Sequence, residues 1–505
     1  MCLMGIDVGT SGCKATIVDA EGCILGQAYK EYSLITSQPG WEEIDPNMVW
    51  DCVREVIIRS FSGYKGEKVK ALSISSFGEA VIPVDRMGNV LYNSIIYIDS
   101  RGTAEAKYLE NRLGNQEILG ITGTLAHSMY SVCKIMWLKA HMPSVYNNTW
   151  KFLLFADFIL FKLGAEPHTD YSLAARTMAF DIINKKWSAD ILECSGVDEG
   201  KFGKPVQAGT VVGQLSQSMA DELGLPAGLI LVSGGHDQPC AALGAGVIKS
   251  SMAVDGLGTT ECITPAFNRP VISEAMAGGS FACVPHVIRD MYVTYAFTFT
   301  SGGVLKWFRD NFGHAYWAEA AKSGINIYDF LIENASKEIS RIFVLPHFAG
   351  AATPYMDTAA KGAIVGLDIN TEKEHIIKAI LEGITFEMMV NVERLNDAGV
   401  EVNELRAVGG LAKSEPFMQL KADMMGKKVT TLNVSEAGTL GVAILAGTAS
   451  GVFSSIEDAV GKLVKKGKEF EPDRKLNEIY QEKFERKLLD FFIIIYLCRP
   501  HKNVL

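Results

Sequence analysis

In the stretch "LMGIDVGTSGCKATIVDAEGCIL", residues 3–25, apolar runs alternate with breaks of small residues. The pattern predicts strand, Gly-Thr-Ser-Gly turn, strand, turn, strand, with Asp7 at the end of the first strand. In "SMAVDGLGTTECITPAF", residues 251–267, the device recurs, with Gly258, Thr259 and Thr260 standing where Gly9, Thr10 and Ser11 stand in the first copy. "VKALSISSF" and "NELRAVGG" are further β-rich runs, whereas residues 371–399 carry a helical period that predicts a helix opening on a Thr371/Glu374 capping box and closing at Gly399. The basic run "KLVKKGK" at 462–468 predicts a solvated helix face. The most apolar window, "LLDFFIIIYLC" at 488–498, is shorter than the ~20 residues a bilayer span requires and predicts a buried terminal helix or strand.

Each Gly-Thr turn gathers backbone N–H groups and small hydroxyls where a phosphate can approach without meeting a Cβ. "TSGGVL" (300–305) and "VGGLAKSEPF" (408–417) follow strand-like runs and precede helical patterns, so each is expected to present a helix N-terminus to a nucleotide. None of these turns is a Walker A loop or a Rossmann fingerprint. Two such turns about 250 residues apart predict two related halves sharing one cleft, with the change of domain between Gly246 and Ala253.

Size and charge narrow the class. A chain of 505 residues with 48% apolar content is too long for one core, so two domains are expected. A formal charge of -10 offers no footprint for nucleic acid. Ten cysteines without a CxxC pair or zinc spacing predict reduced thiols in a cytosol, and the N-terminal stretch lacks the basic and apolar regions of an export signal.

One acidic residue stands out. "VSGGHDQPCAALGAG" (232–246) puts Asp237 where a strand passes into a small-residue helix. A carboxylate there either caps the helix or acts as a proton acceptor.

Two longer motifs carry a resemblance. "MYSVCKIMWL" (129–138), built around Lys134 and Trp137, and "GAIVGLDINTEKEHIIKAILE" (362–382) match the two signatures of the FGGY family of carbohydrate kinases, which the chain resembles from about residue 4 to about residue 450. The resemblance implies an α/β protein of two actin-like (RNase H-like) domains flanking a catalytic cleft, with residues 1–246 binding sugar or polyol, 247–455 binding nucleotide and 456–505 forming a helical tail. It implies transfer of the γ-phosphoryl group of ATP, with Mg2+, to a hydroxyl of an open-chain sugar or polyol. Asp237 falls on the catalytic base and Gln238 beside it on a substrate contact. Asp7 falls where magnesium is held through water. Gly9, Thr10, Ser11 and Lys14 fall on the first phosphate loop, Gly258 and Thr259 on the second, and Gly302, Lys306, Gly410 and Ser414 on positions lining the nucleotide.

Substrate choice is less determined. In "SSFGEAVIPVD" (75–85) Gly78 and Glu79 stand where xylulokinases carry Met-His and glycerol kinases carry Arg-Glu. "IYIDSRG" (96–102) supplies Tyr97, Asp99 and Arg101 in an aromatic-x-Asp-x-Arg pattern shared by both groups. A pentulose such as xylulose is the first expectation; glycerol, a tetritol or another polyol, or a gluconate-type sugar acid, are alternatives. An actin- or Hsp70-like ATPase and a sugar-sensing pseudokinase are the readings outside catalysis of sugar phosphorylation. The partner expected is a small molecule, with no nucleic acid and no membrane; a homodimer is compatible with the resemblance.

Overall fold

The computed structural model describes residues 1–61, 68–433 and 436–485. Its first sheet has six strands in the order Val211–Gln214, Ile230–His236, Val69–Ser76, Cys2–Val8, Gly12–Asp19, Ile24–Glu31. Cys2–Val8 pairs antiparallel with Gly12–Asp19 on one side and parallel with Val69–Ser76 on the other, and Ile230–His236 continues the parallel set. These central strands are almost wholly buried, polar positions included, because both faces are covered, as parallel pairing demands.

The second sheet repeats this plan. Met252–Leu257 pairs antiparallel with Glu261–Phe267 and parallel with Glu404–Gly409, which is parallel in turn to Lys428–Leu432. Each sheet also closes its parallel side with an antiparallel edge strand, Val211–Gln214 in the first and Lys466–Phe470 in the second. The duplication expected from the two turns is therefore the organisation of the whole chain, an actin-like pair of sheets.

The copies differ by one residue at a telling place. Asp7 precedes Gly9 by two positions, whereas the position two before Gly258 is Gly256, and Asp255 lies one further back. Strand side chains alternate faces, so this offset sends the two carboxylates to opposite sides of their sheets. Asp7 takes a hydrogen bond from Ser75 on the neighbouring strand, whereas Asp255 is wholly buried, 2.6 Å from the ammonium of Lys421.

The halves are joined by a backbone contact. Helix Ala437–Ala449, late in the chain, lies against strand Cys2–Val8 and against helix Asp237–Gly244. Glycine is required at each touching point. A Cβ on Gly441 would fall 1.9 Å from the Cys240 carbonyl oxygen, one on Gly244 1.8 Å from that of Ala437, and one on Gly5 1.9 Å from that of Thr439.

Two local expectations are corrected. The long helix runs from Lys373 to Asp397 and its cap is Glu372, whose own N–H is received by the ring of His375. Thr371 does not cap it, because its hydroxyl is engaged with Asp368. The tail is not helical throughout, nor is the basic run a helix face: after helix Ile456–Leu463 the chain forms strand Lys466–Phe470, drawn to the open edge of Lys428–Leu432, where Lys428 pairs with Glu469 at 2.6 Å. Residues 474–485 are helical, and the 488–498 window lies outside the described residues. Among the described residues no helix is long and apolar enough to cross a membrane.

Gly441→Ala is expected to destabilise the protein by roughly 2 kcal/mol or more, since a carbonyl cannot yield as a flexible side chain would. Gly461→Ala, in an exposed helix position with open space around the added methyl, should instead stabilise it by about 0.5–1 kcal/mol. Denaturant titration of the two variants checks both signs.

Candidate active site

Strand Ile230–His236 ends in extended backbone at His236, and Asp237 is the first residue of the helix that follows. Pro239 in the first turn has no N–H to satisfy. The cap position falls to His236, which makes no side-chain capping bond, and Asp237 stands one residue inside, in the first turn, where the Gln238 backbone N–H favours its charged form. Its Oδ1 is buried and, among the described residues, has no hydrogen-bond partner. Burial, then the charges of Asp7 and Glu79, push its pKa up to about 7. His236 Nε2 lies 3.2 Å away, but burial and the nearby Arg176 hold that ring neutral, so no ion pair forms. The turn itself is pinned from outside: the His236 N–H donates to Ser172 Oγ at 2.9 Å, and Ser172 donates to Asp170, the cap of helix Tyr171–Ala175.

The first turn lies beside this carboxylate. Asp7 sits in register between Lys14 and Ser75, accepts from Ser75 Oγ at 2.6 Å, and is raised in pKa chiefly by burial. Lys14, 26% exposed, is ion-paired with Glu436 just ahead of the joining helix. The turn is held by Gly9 N–H donating to Gly12 and by Tyr32, whose hydroxyl donates to the Gly9 carbonyl at 2.6 Å. Thr10 hydrogen-bonds the Tyr97 hydroxyl, and Tyr97 senses the charges of both Glu79 and Asp237. Gly9, Thr10, Asp7, Lys14, Tyr97, Glu79 and Asp237 thus share one neighbourhood, and half-buried Gln238 adjoins it.

Asp99 and Arg101 stand differently from the substrate contacts expected of them. Both are buried and already engaged: Arg101 forks onto Asp99 at 2.6 and 2.9 Å, reaches Glu43 at 2.7 Å, and lies over the Trp41 and Trp137 rings. Lys134, fully buried, donates to the carbonyls of Asp99 and Arg101. Burial lowers its pKa to about 8. The 129–138 segment is therefore a bracket that fixes the loop bearing Tyr97.

The second-half residues also converge. Gly258, Thr259, Gly302, Lys306, Gly410 and Ser414 line a single cavity of about 530 Å³ together with Asn326, Tyr328, Asp329 and Lys413. The last four escaped the sequence reading; "INIYDF" shows only a helix start. One detail is corrected. The N–H groups of Ser301, Gly302 and Gly303 donate to the carbonyls of Thr259 and Gly258, so they clamp the second turn and are not free for a phosphate. A Cβ at Gly302 would fall 2.6 Å from the Gly258 carbonyl oxygen. Behind the clamp, Ser301 donates to Glu261 at 2.7 Å, and Lys421 bonds both Glu261 and Asp255.

Comparison with known proteins agrees in extent and order. Residues 2–244 match the N-terminal domain of the FGGY family of carbohydrate kinases, and 256–450 match its C-terminal domain. Xylulose kinase of Bacillus subtilis is 28% identical over 488 residues, covering 96% of this chain and 95% of its own. Glycerol kinase of Borrelia hermsii is 30% identical over 489 residues, covering 93% and 94%. The ligand-bound xylulose kinase from Lactobacillus acidophilus superposes with a TM-score of 0.86 at 25% identity, covering 97% of each chain.

Lys134→Met should cost about 2 kcal/mol by leaving buried carbonyls unpaired. It should also red-shift tryptophan emission as the Trp41–Arg101–Trp137 stack loosens. An unchanged spectrum and denaturation midpoint would remove the bracket role.

Proposed function

Because the chain belongs to the FGGY family of carbohydrate kinases, we propose that it transfers the γ-phosphoryl group of ATP to a hydroxyl of an open-chain sugar, with a pentulose such as xylulose as substrate. The observation that carries this reading is the Asp237 carboxylate, buried at Oδ1, without a hydrogen-bond partner there among the described residues, and poised near pH 7. Phosphoryl transfer asks for positioning, charge neutralisation and an acceptor for one proton. Asp237 accepts that proton from the attacking hydroxyl, and a base is most effective when its pKa lies near the working pH.

Residues 1–246 hold the sugar in this reading and 247–455 the nucleotide. Tyr97, Glu79 and Gln238 surround the reacting hydroxyl; Asp99 and Arg101 act through the loop they lock. The 530 Å³ cavity takes the nucleoside, with Lys306 and Lys413 at its wall and Gly258, Thr259, Gly410 and Ser414 against the phosphates. Thr10 and Ser11, with Lys14 behind them, meet the same phosphates from the opposite loop.

The residues present fit a divalent cation carried with the nucleotide. Asp7 is half-buried and close enough to Asp237 to raise its pKa, and the orphaned Oδ1 of Asp237 adds an unmet demand for positive charge. Among the described residues no cluster of three or more His, Cys, Asp or Glu forms a dedicated metal cage, which suits Mg2+ held largely by water and phosphate with Asp7 at one water's distance. Such an ion supplies charge neutralisation for the transferred group.

A gluconate-type substrate fits less well, because Asp7, Glu79 and Asp237 already crowd the site with carboxylates and Arg176 is engaged by Glu79. A neutral polyol is the closer alternative. An actin- or Hsp70-like ATPase is disfavoured because it has no use for a substrate base such as Asp237 or for the 362–382 signature. The nine described cysteines are free thiols, which supports a cytoplasmic setting. As monomer or homodimer, each chain carries all of these groups.

A coupled ADP-release assay over ketoses, polyols and sugar acids tests the reading, and the ketopentose should lead. Asp237→Asn should lower kcat by about 10²–10⁴-fold with ADP binding retained. In the wild type, kcat/KM should fall as pH drops through about 7, where Asp237 takes up its proton. A raised carboxyl pKa makes the ionised group a burden on the fold above that pH, so Asp237→Asn should raise Tm more at pH 8 than at pH 5. Near-normal turnover in this variant would refute the assignment.

A further inference from the structure

Gly78 has no side chain, and the space a side chain would need is filled. A Cβ there would fall 2.7 Å from Arg176 Cγ, 3.0 Å from Arg176 Cβ and 3.1 Å from His236 Cδ2. Arg176, just past helix Tyr171–Ala175, crosses over Gly78 to reach the next residue, Glu79. Its Nε donates to Glu79 Oε1 at 2.7 Å and its Nη2 to the same oxygen. Among the described residues no hydrogen bond is made to Glu79 Oε2. The guanidinium also lies over the rings of Tyr130 and Tyr295, 5.2 and 5.8 Å from their centroids.

Glu79 is held in other ways too. Its backbone is left-handed at φ 64°, which is uncommon for a residue with a Cβ. Ser131, on the bracket helix Ser131–His141, donates to the Glu79 carbonyl at 2.5 Å and keeps it there. A strained acidic residue, 4% exposed, with a dedicated cation on one oxygen, stands close enough to Asp237 and Tyr97 to act on both electrostatically. Fixed strain and a buried, half-satisfied carboxylate are what a reading group for hydroxyls requires.

We propose that Arg176 is a positioning residue for substrate selection: crossing the bare Cα of Gly78, it ties up one oxygen of Glu79 and so aims the other, as a single fixed acceptor, at a hydroxyl of a neutral open-chain substrate beside Asp237. Gly78 is then required as the passage for the Arg176 stem. The selection is against sugar acids as well as against missing hydroxyls, since the Arg176 guanidinium, which would attract an anion, is already engaged by Glu79. This inference rests on the kinase reading above.

The test uses the best neutral substrate from the ADP-release assay and its analogues lacking single hydroxyls. Arg176→Met should raise the KM for that substrate and lower kcat/KM about tenfold or more, leave the KM for ATP within about twofold, and flatten the preference for the parent over one deoxy analogue. Arg176→Lys should recover part of the preference. Gly78→Ala should reproduce the Arg176→Met pattern, and the Gly78→Ala/Arg176→Met double variant should be no worse than either single change. If an unpaired Glu79 prevents Arg176→Met from folding, the Arg176→Met/Glu79→Gln pair removes both charges and should show the same loss of preference. Preserved discrimination in these variants, or fully additive effects of Gly78→Ala and Arg176→Met, would overturn the proposal while the wild-type activity upheld the kinase reading. A wild type that releases no ADP with any ketose, polyol or sugar acid would overturn the kinase reading first.

Discussion

Backbone meets backbone where helix Asp237–Gly244 crosses helix Ala437–Ala449, and the cleft depends on that contact. Gly244 and Gly441 allow an approach that no side chain permits, and Gly5 admits the same late helix against the strand that ends in Asp7. Gly438, at the helix start, leaves room beside the Asp7 carboxylate, since a Cβ there would lie 3.1 Å from its Cγ. One helix from the end of the chain therefore sets the relative placement of the two acidic groups contributed by its beginning and middle. Packed interiors are not continuously deformable, so a shift at this crossing is felt at Asp237 directly.

The electrostatics follow from that placement. Asp7, Glu79 and Asp237 crowd together with limited solvent, and burial raises all three. Their surroundings then divide them. Ser75 and Lys14 draw Asp7 back toward the charged form, Arg176 does so for Glu79, and Asp237 is left without a partner on Oδ1. His236, the one imidazole adjoining the base, is kept neutral, so it neither neutralises Asp237 nor competes for its proton. Three similar carboxylates thereby acquire three different surroundings within one neighbourhood.

Much of this was legible in the sequence, for a physical reason. Hairpins and Gly-rich turns are local, and so the duplicated strand-turn-strand units, the 300–305 and 408–417 turns and the strand-to-helix step at Asp237 stand where the pattern places them. Interactions that bridge distant segments left weaker traces. Gly78 shows a side chain missing, but nothing local shows that the stem of Arg176 lies across the space it leaves. Asp99 and Arg101 look like substrate contacts in their motif because charge alone does not disclose burial; only Trp41, Glu43 and Trp137 around them do. The amides of 301–303 look free for a ligand until the second turn is placed against them. The strand at 466–470 was hidden behind its lysines, since an edge strand tolerates solvated side chains that also suit a helix face.

A protein made of two copies of one loop has an ambiguity built in, because a polyphosphate arriving between matched loops has no preferred orientation. The single-residue offset between Asp7 and Asp255 removes that degeneracy. One rim of the cleft keeps its negative charge toward the opening, while the other turns it inward to Lys421 and presents Gly256 instead. The two rims are told apart by a change in strand phase alone.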